Sequence, residues 1–298
     1  MRYFQHPGSA DPPVGSFESF VPRGKLGLLL GAGGIRGCAH VGVMSVMDSI
    51  SLAADIVVGA SIGSIFGAGY AAGWDVATIR RLTDQAPRRA VAEFYLNRLR
   101  IDRTTYIGSI LCELGTETLI EDLPRRFAAM VEDRDTGRVI ALTRGPLLRA
   151  VEASIALPGI ARPVHIGASR YIDGGLRASI PSSVARQLGA ESIIRVELVG
   201  ANPLKLAYKQ MRRWRTSSHL PRWVRRDRAP ATLKANHKPL EPGGEPANEI
   251  TIAPRFFGLF CNAPLGVGFC ADRGRIAATS ILANIDLELG HSSFETTG

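Results

Sequence analysis

DIVVGASIGS, residues 55–64, is an apolar run that stops on a small-residue turn holding one serine, Ser61, between Gly59 and Gly63. A continuous apolar run of this length suits a strand buried on both faces of a parallel sheet. The continuation SIGSIFGAGYAAG has the small residues of a helix packed closely on that sheet. The G-x-S-x-G pattern is weak by itself: with glycine at 32 of 298 residues, it arises by chance about 0.2 times in such a chain. Its setting strengthens it, because a nucleophile elbow joins a strand to a helix and holds the serine hydroxyl on a strained turn at the carboxyl edge of the sheet. Gly59 and Gly63 would let strand and helix approach without Cβ clashes, and the helix N-terminus would favour a developing oxyanion. On this stretch alone Ser61 is either a nucleophile or the serine of a tight packing turn.

Working outward, strands and helices alternate, with the chemistry at their junctions, so the expected fold is α/β: a three-layer sandwich around a central, mostly parallel sheet. KLGLLL (25–30) reads as a buried strand, and GAGGIRG (31–37) as a glycine-rich turn into a helix from Cys38 to about Ser49. Residues 75–130 read as amphipathic helices that cover the sheet or form a lid. RFAAMVED, TGR and VIALT read as strand, turn and strand, and GPLLRAVEASIALPG as a helix opened by Pro146 and stopped at Leu157-Pro158-Gly159. SRYIDGG ends a strand on Asp173, SIPSSVARQLGA is a helix, SIIRVEL is a buried strand, and Asp272 to Leu289 closes the core as a helix. No internal repeat is apparent. The expected organisation is one domain with an insertion: a loose arm at 1–23, a catalytic core at 24–200, a basic insertion at 201–249, and a strand and helix at 250–298 that complete the core.

GAGGIRG invites a nucleotide reading, and the spacing rejects it. A dinucleotide fingerprint starting at Gly31 needs its third glycine at position 36, where Arg36 stands. The P-loop fails because no Lys-Ser or Lys-Thr follows at the required distance. A glycine loop that opens a helix can still cradle the oxygen of a tetrahedral acyl intermediate, so an oxyanion hole is the better use.

Asp173 ends its strand on the Gly174-Gly175 turn. A carboxylate at the end of one strand can accept the hydroxyl proton from an elbow at the end of a neighbouring strand. Aspartate is a weak base, with a reference pKa near 3.9, so stabilisation of the oxyanion must carry a large share of the rate. Alone, Asp173 reads equally as an ordinary turn residue. Histidine is the competing base. Of His6, His40, His165, His219, His237 and His291, only His291 follows serine and aspartate in the order of an α/β-hydrolase triad, and it sits in the polar tail GHSSFETTG. His40 reads as a satisfied helix residue, and His165 has no orienting partner in the sequence.

The ordered set GAGGIRG, GASIG and YIDGG, with the block EDLPRRFAAMVEDRDTGRVIALTRGPLLRAVEASIALPGIARPV between serine and aspartate, resembles the patatin-like phospholipase family over roughly residues 25–200. The resemblance implies a Ser-Asp dyad hydrolase acting on acyl esters of lipids. Ser61 is then the nucleophile, Asp173 the general base, and the amides of Gly33 and Gly34 the oxyanion donors. Gly31, Arg36, Gly37, Gly59, Gly63, Gly174 and Gly175 support the motifs, Arg36 either through the glycine loop, at an anionic substrate group, or as an ordinary surface ion pair. No metal or other cofactor is expected. The family usually has three glycines where this chain has Ala32-Gly33-Gly34, and alanine does not readily take a positive φ. Other readings with the same motifs are a small-ester or thioester hydrolase, or a non-enzymatic regulator of the same fold.

The net charge of +9 has one source. Residues 205–238 hold eleven lysines and arginines against Asp227 alone, interleaved with Tyr208, Trp214 and Trp223. The prolines around them argue against one long helix. The expected partners are a phospholipid or other acyl-lipid substrate and, through this segment, an anionic membrane surface. A solvated loop is the plain alternative, and nucleic acid is not expected. No apolar run reaches the roughly 20 residues of a spanning helix, and the first residues lack the apolar region of a secretory signal. Cys38, Cys112, Cys261 and Cys270 show no two-residue gap of the kind metal sites use. The expected location is cytoplasmic, with peripheral binding at the inner face of the membrane.

Overall fold

Strand β1 (Leu26–Leu30) is buried at every position, and its side chains alternate between the two faces of the sheet as the strand period requires. Leu28 and Leu30 join the larger hydrophobic core and Leu29 joins a second core on the opposite face. Burying each such leucine contributes about 2 kcal/mol. The computed structural model describes residues 20–87, 89–177, 179–198, 248–256 and 267–291. The basic segment 205–238, His6, His219, His237, and Cys261 lie outside the described residues.

In chain order, β1 is followed by α1 (Cys38–Ser49), β2 (Ile56–Ala60), α2 (Ile62–Ala71), α3 (Val76–Asp84), α4 (Ala90–Leu96) and α5 (Tyr106–Cys112). Then come β3 (Arg126–Asp133), β4 (Val139–Leu142), α6 (Leu147–Ser154), β5 (Val164–Ile166), β6 (Ser169–Asp173), α7 (Ser182–Gln187) and β7 (Ser192–Val196). After the undescribed stretch follow β8 (Glu249–Ile252) and α8 (Val267–His291). The helix opened by Pro146 ends at Ser154, three residues before the expected stop at Leu157, and RPVHIG, too short to show a period in sequence, contributes the strand β5.

The strands form one sheet in the order β5-β6-β3-β2-β1-β7-β8, with β4 also paired to β3. The middle run β3-β2-β1-β7-β8 is parallel throughout, and the antiparallel pairs gather around β3, β4, β5 and β6. This is the α/β sandwich with a mostly parallel central sheet that the alternation of elements predicts. The larger core lies under α1, α2, α6 and α8, and the thinner opposite layer is built on Val184 and Ala185 of α7.

Helices α1 and α8 meet backbone to backbone. A Cβ built on Gly42 would lie 1.9 Å from the Ala271 carbonyl oxygen, and one on Gly274 would lie 2.0 Å from that of Ala39. At the far edge Arg195 of β7 reaches Glu249 of β8 at 2.7 Å, with side chains 14% and 9% exposed. This mostly buried pair fastens the last strand. No helix among the described residues is long and apolar enough to cross a membrane.

Candidate active site

The chain grows from β1 in both directions, with β2 and β3 on one side and β7 and β8 on the other. The carboxyl end of such a central strand opens a crevice where ligands bind in open α/β sheets. The glycine loop leaves the sheet there. Gly31 donates its amide to the Val196 carbonyl at the end of β7 (3.1 Å), and Gly33 lies so close to Leu198 that a Cβ would come within 2.3 Å of its Cδ1. Gly34, with φ of +57°, opens a 3-10 turn through Gly37 that runs into α1. Ala32 answers the question its presence raised: the non-glycine residues with positive φ are Ser51, Ser61, Arg98, Leu99 and Asn248 among the described residues. The alanine therefore sits in the loop without backbone strain.

Two side chains brace this loop from below. Arg36 is buried, its Nε donates to the Gly33 carbonyl at 3.4 Å, and its guanidinium carbon lies 5.8 Å from the centre of the Phe256 ring. Burial rules out the exposed surface ion pair that the sequence left open for Arg36. His40 is fully buried, with Nε2 2.8 Å from the Gly31 carbonyl. A carbonyl only accepts, so Nε2 carries the proton. Nδ1 has no hydrogen-bond partner among the described residues, so His40 is only half satisfied. Burial pushes its pKa down to about 4, and the bond to Gly31 opposes that only in part. The ring is neutral at pH 7.

The turn after β2 has the geometry of a nucleophile elbow. Ser61 has φ of 54° and ψ of −125°, a conformation that costs an L-residue on the order of 1–3 kcal/mol and persists only where its surroundings hold it. The holders are visible. The Ser61 amide donates to Ser154 Oγ (3.0 Å), and that hydroxyl donates to the Met130 carbonyl (2.8 Å), so α6, β3 and the elbow share one serine. Ser64 donates both its amide (2.8 Å) and its hydroxyl (2.6 Å) to the Ser61 carbonyl. A Cβ on Gly63 would stand 2.0 Å from the Leu30 carbonyl oxygen, and one on Gly59 would stand 2.5 Å from the Gly63 carbonyl oxygen. Helix and strands could not meet this closely with any other residue there. Gly37 in turn packs on the Ile62 side chain, joining the glycine loop to the elbow helix. Nothing in the sequence marked Ser154: at the end of an amphipathic helix, a serine carries no signal of what it will meet across the sheet.

The sequence placed Asp173 on a strand beside the elbow; the pairing is closer than that. Ala60 of β2 pairs with Met130 and Asp173 of β6 pairs with Val131, the next residue of β3. Strand β4 pairs with β3 over Ala129–Glu132, overlapping both β2 and β6 in register, and so occupies the other edge of β3. Strands β2 and β6 therefore run head to head along one edge of β3, and their carboxyl ends, with Ser61 and Asp173, converge. Gly174 follows against β3, where a Cβ would lie 2.8 Å from Val131 backbone atoms. A Cβ on Gly175 would come 2.4 Å from Ala32 Cβ and 3.2 Å from Ala60 Cβ, so the third motif touches the first and the second. Asp173 is 1% exposed, and its Oδ1 accepts from the Gly175 amide at 2.8 Å.

Ser61 and Gly34 line the wall of an apolar cavity of about 140 Å³ roofed by α3, α4 and α5. Tyr95 of α4 lines it as well, and a Cβ on Gly34 would lie 3.5 Å from its hydroxyl. Burial, and then the nearby Asp173, raise the pKa of this phenol, which keeps its proton. The sequence reading missed Tyr95 because α4 shows only an amphipathic pattern. His165 is exposed on β5, the outermost strand, where its carbonyl accepts from Arg149 at 3.1 Å, and His291 ends α8. No group of three His, Cys, Asp or Glu is placed to hold a metal ion among the described residues.

Comparison with known proteins agrees with this architecture. An uncharacterized NTE family protein of Mycobacterium tuberculosis is 32% identical over 183 residues, 60% of this chain and 31% of that protein. Patatin-like phospholipase domain-containing protein 7 of Rattus norvegicus is 27% identical over 205 residues, 66% of this chain and 15% of that protein. The chain thus spans less than a third of the length of either relative. Among solved structures, VipD from Legionella pneumophila superposes with a TM-score of 0.50 at 14% identity, covering 87% of this chain and 66% of VipD, a likeness of fold. A family model described as patatin-like phospholipase matches residues 28–186, more than half of the 298. That span takes in the glycine loop, the elbow and the Asp173 turn, and the chain belongs to the patatin-like phospholipase family.

Proposed function

We propose that the protein is a lipid acyl hydrolase working through Ser61 and Asp173. The observation that supports this reading is the head-to-head meeting of β2 and β6, whose adjoining carboxyl ends carry a strained serine on the wall of an apolar cavity and a buried carboxylate. Ser61 Oγ attacks the ester carbonyl carbon while its proton passes to the Asp173 carboxylate. The carbonyl oxygen becomes an oxyanion held by the amides of Gly33 and Gly34, assisted by the N-terminus of α2. The tetrahedral intermediate collapses, the bond from the carbonyl carbon to the alcohol oxygen breaks, and the proton on Asp173 goes to the leaving alcohol. Water then attacks the acyl-serine, giving its proton to Asp173; the second tetrahedral intermediate collapses, the bond to Ser61 Oγ breaks as Asp173 returns that proton to it, and the acid departs.

The apolar lining favours a fatty acyl group over a small polar one, since each buried methylene contributes about 0.8 kcal/mol. Contact with an anionic membrane through residues 205–238 belongs to the same proposal and rests on their charge. The test of the dyad is a pair of variants assayed on a soluble short-chain ester. Asp173→Asn is expected to lower kcat at least 100-fold, and His291→Ala to leave it within twofold of wild type. Loss of activity in the histidine variant with the asparagine variant active would replace the dyad by a triad.

A further inference from the structure

A single indole lines two cavities, one apolar and one of mixed polar and apolar lining. The first runs along α2 from Ser61, where Ile62, Ile65, Phe66 and Gly69 form one wall, and reaches Trp74 just past the end of the helix. The second, about 260 Å³, lies near the loop that precedes β2 and is lined in part by Asp48, Asp75 and Arg125. Trp74 is the one residue that lines both among the described residues. Its position is held from two directions. Its amide donates to the Gly69 carbonyl at 3.0 Å, and its ring occupies the space a side chain at Gly69 would need, with Cε3 2.6 Å from where a Cβ would be. Any residue but glycine at 69 would displace the indole.

We propose that Trp74 is the floor of the acyl site and sets the longest chain the enzyme accepts, an inference that rests on reading Ser61 as the hydrolytic centre. From Ser61 to Gly69 the helix rises about 12 Å, room for roughly ten methylenes laid along it. Each methylene that enters this apolar wall strengthens binding roughly fourfold. Beyond Trp74 the lining becomes mixed, with Asp48, Asp75 and Arg125 among apolar residues such as Met44 and Met47, so the gain per methylene falls there. The substrate class is thus an ester of a medium-length, unbranched acyl chain, with Trp74 as a specificity-determining residue that takes no part in the chemistry.

Two measurements test this and separate it from the hydrolase reading. In the first, kcat/KM is measured on p-nitrophenyl esters across acyl lengths. Wild type is expected to climb to a chain of about ten carbons and then fall, whereas Trp74→Ala shifts the break several carbons longer. A break at the same length in Trp74→Ala overturns the proposal. In the second, Trp214 and Trp223 are changed to Phe, so that Trp74 is the sole tryptophan and can be excited selectively over the tyrosines, and saturated fatty acids carrying bromine on the terminal carbon are titrated in. Quenching that peaks at a chain of about ten carbons supports the floor even if no ester is hydrolysed, in which case the hydrolase reading falls and the acyl site stands. Ester hydrolysis without quenching at any length overturns the floor and keeps the hydrolase. The quenching titration also decides the matter if Trp74→Ala fails to fold.

Discussion

The carboxyl edge of the sheet and the helical roof of α3–α5 are built on different principles. At the edge, glycine backbone packs directly on backbone and methyl groups: Gly63 sits under the Leu30 carbonyl, Gly175 against the Cβ atoms of Ala32 and Ala60, and the Ser61 peptide is tied by the Ser64 and Ser154 hydroxyls. In the roof, side chains such as Ile79, Leu82, Val91 and Ile110 meet across a cavity, and the helices are short. An edge of this kind admits no added atom, while a roof of side chains can repack around a change of volume. The edge therefore holds one geometry, while the roof tolerates a change of volume.

One methyl group tests the contrast most severely. Gly63→Ala puts a Cβ 2.0 Å from the Leu30 oxygen, and the expected cost is about 3 kcal/mol or more. Leu82→Ala in the roof, a half-buried position from which three carbons are removed, is expected to cost only about 1 kcal/mol. Urea denaturation of both variants checks the ranking, and equal losses would erase the distinction between edge and roof.

A second difference is titratable and comes from below the glycine loop. His40 has its folded pKa depressed to about 4 against 6.5 for the free group, so between these values the unfolded chain binds the extra proton. Stability from the neutral ring is full above pH 6.5 and is lost as pH falls toward 4, with a total on the order of 3 kcal/mol. His40→Asn, which keeps a donor for the Gly31 carbonyl, is expected to lose less stability than wild type between pH 7.5 and 4.5. Parallel urea curves at the two pH values measure this, and identical pH dependence in both proteins would refute it.

The same contrast explains what could be read in advance. Buried parallel strands announce themselves as unbroken apolar runs, and β1, β2 and β7 lie where KLGLLL, DIVVGA and SIIRVEL predict them. Helix α1 spans Cys38–Ser49 as expected. Motif residues of the edge were legible because glycine and serine at fixed spacing leave few conformations. The head-to-head arrangement of β2 and β6 was not, since it depends on which edge of β3 each strand takes, and pairing between distant segments leaves no local mark. Ser154 closes a hydrogen-bond bridge from a helix end, His40 carries its meaning through Gly31, and Tyr95 reaches the site from a helix whose pattern shows only which face is apolar. Each acts through a partner far away in sequence or on another element, which composition and spacing do not encode.

Reaction with a fluorophosphonate probe shows whether Ser61 is the nucleophile. Wild-type protein is expected to be labelled covalently on the peptide containing Ser61, in step with loss of ester hydrolysis, while folded Ser61→Ala takes up no label. Labelling of Ser61→Ala at the wild-type rate, or of a different serine in the wild type, would remove Ser61 from that role.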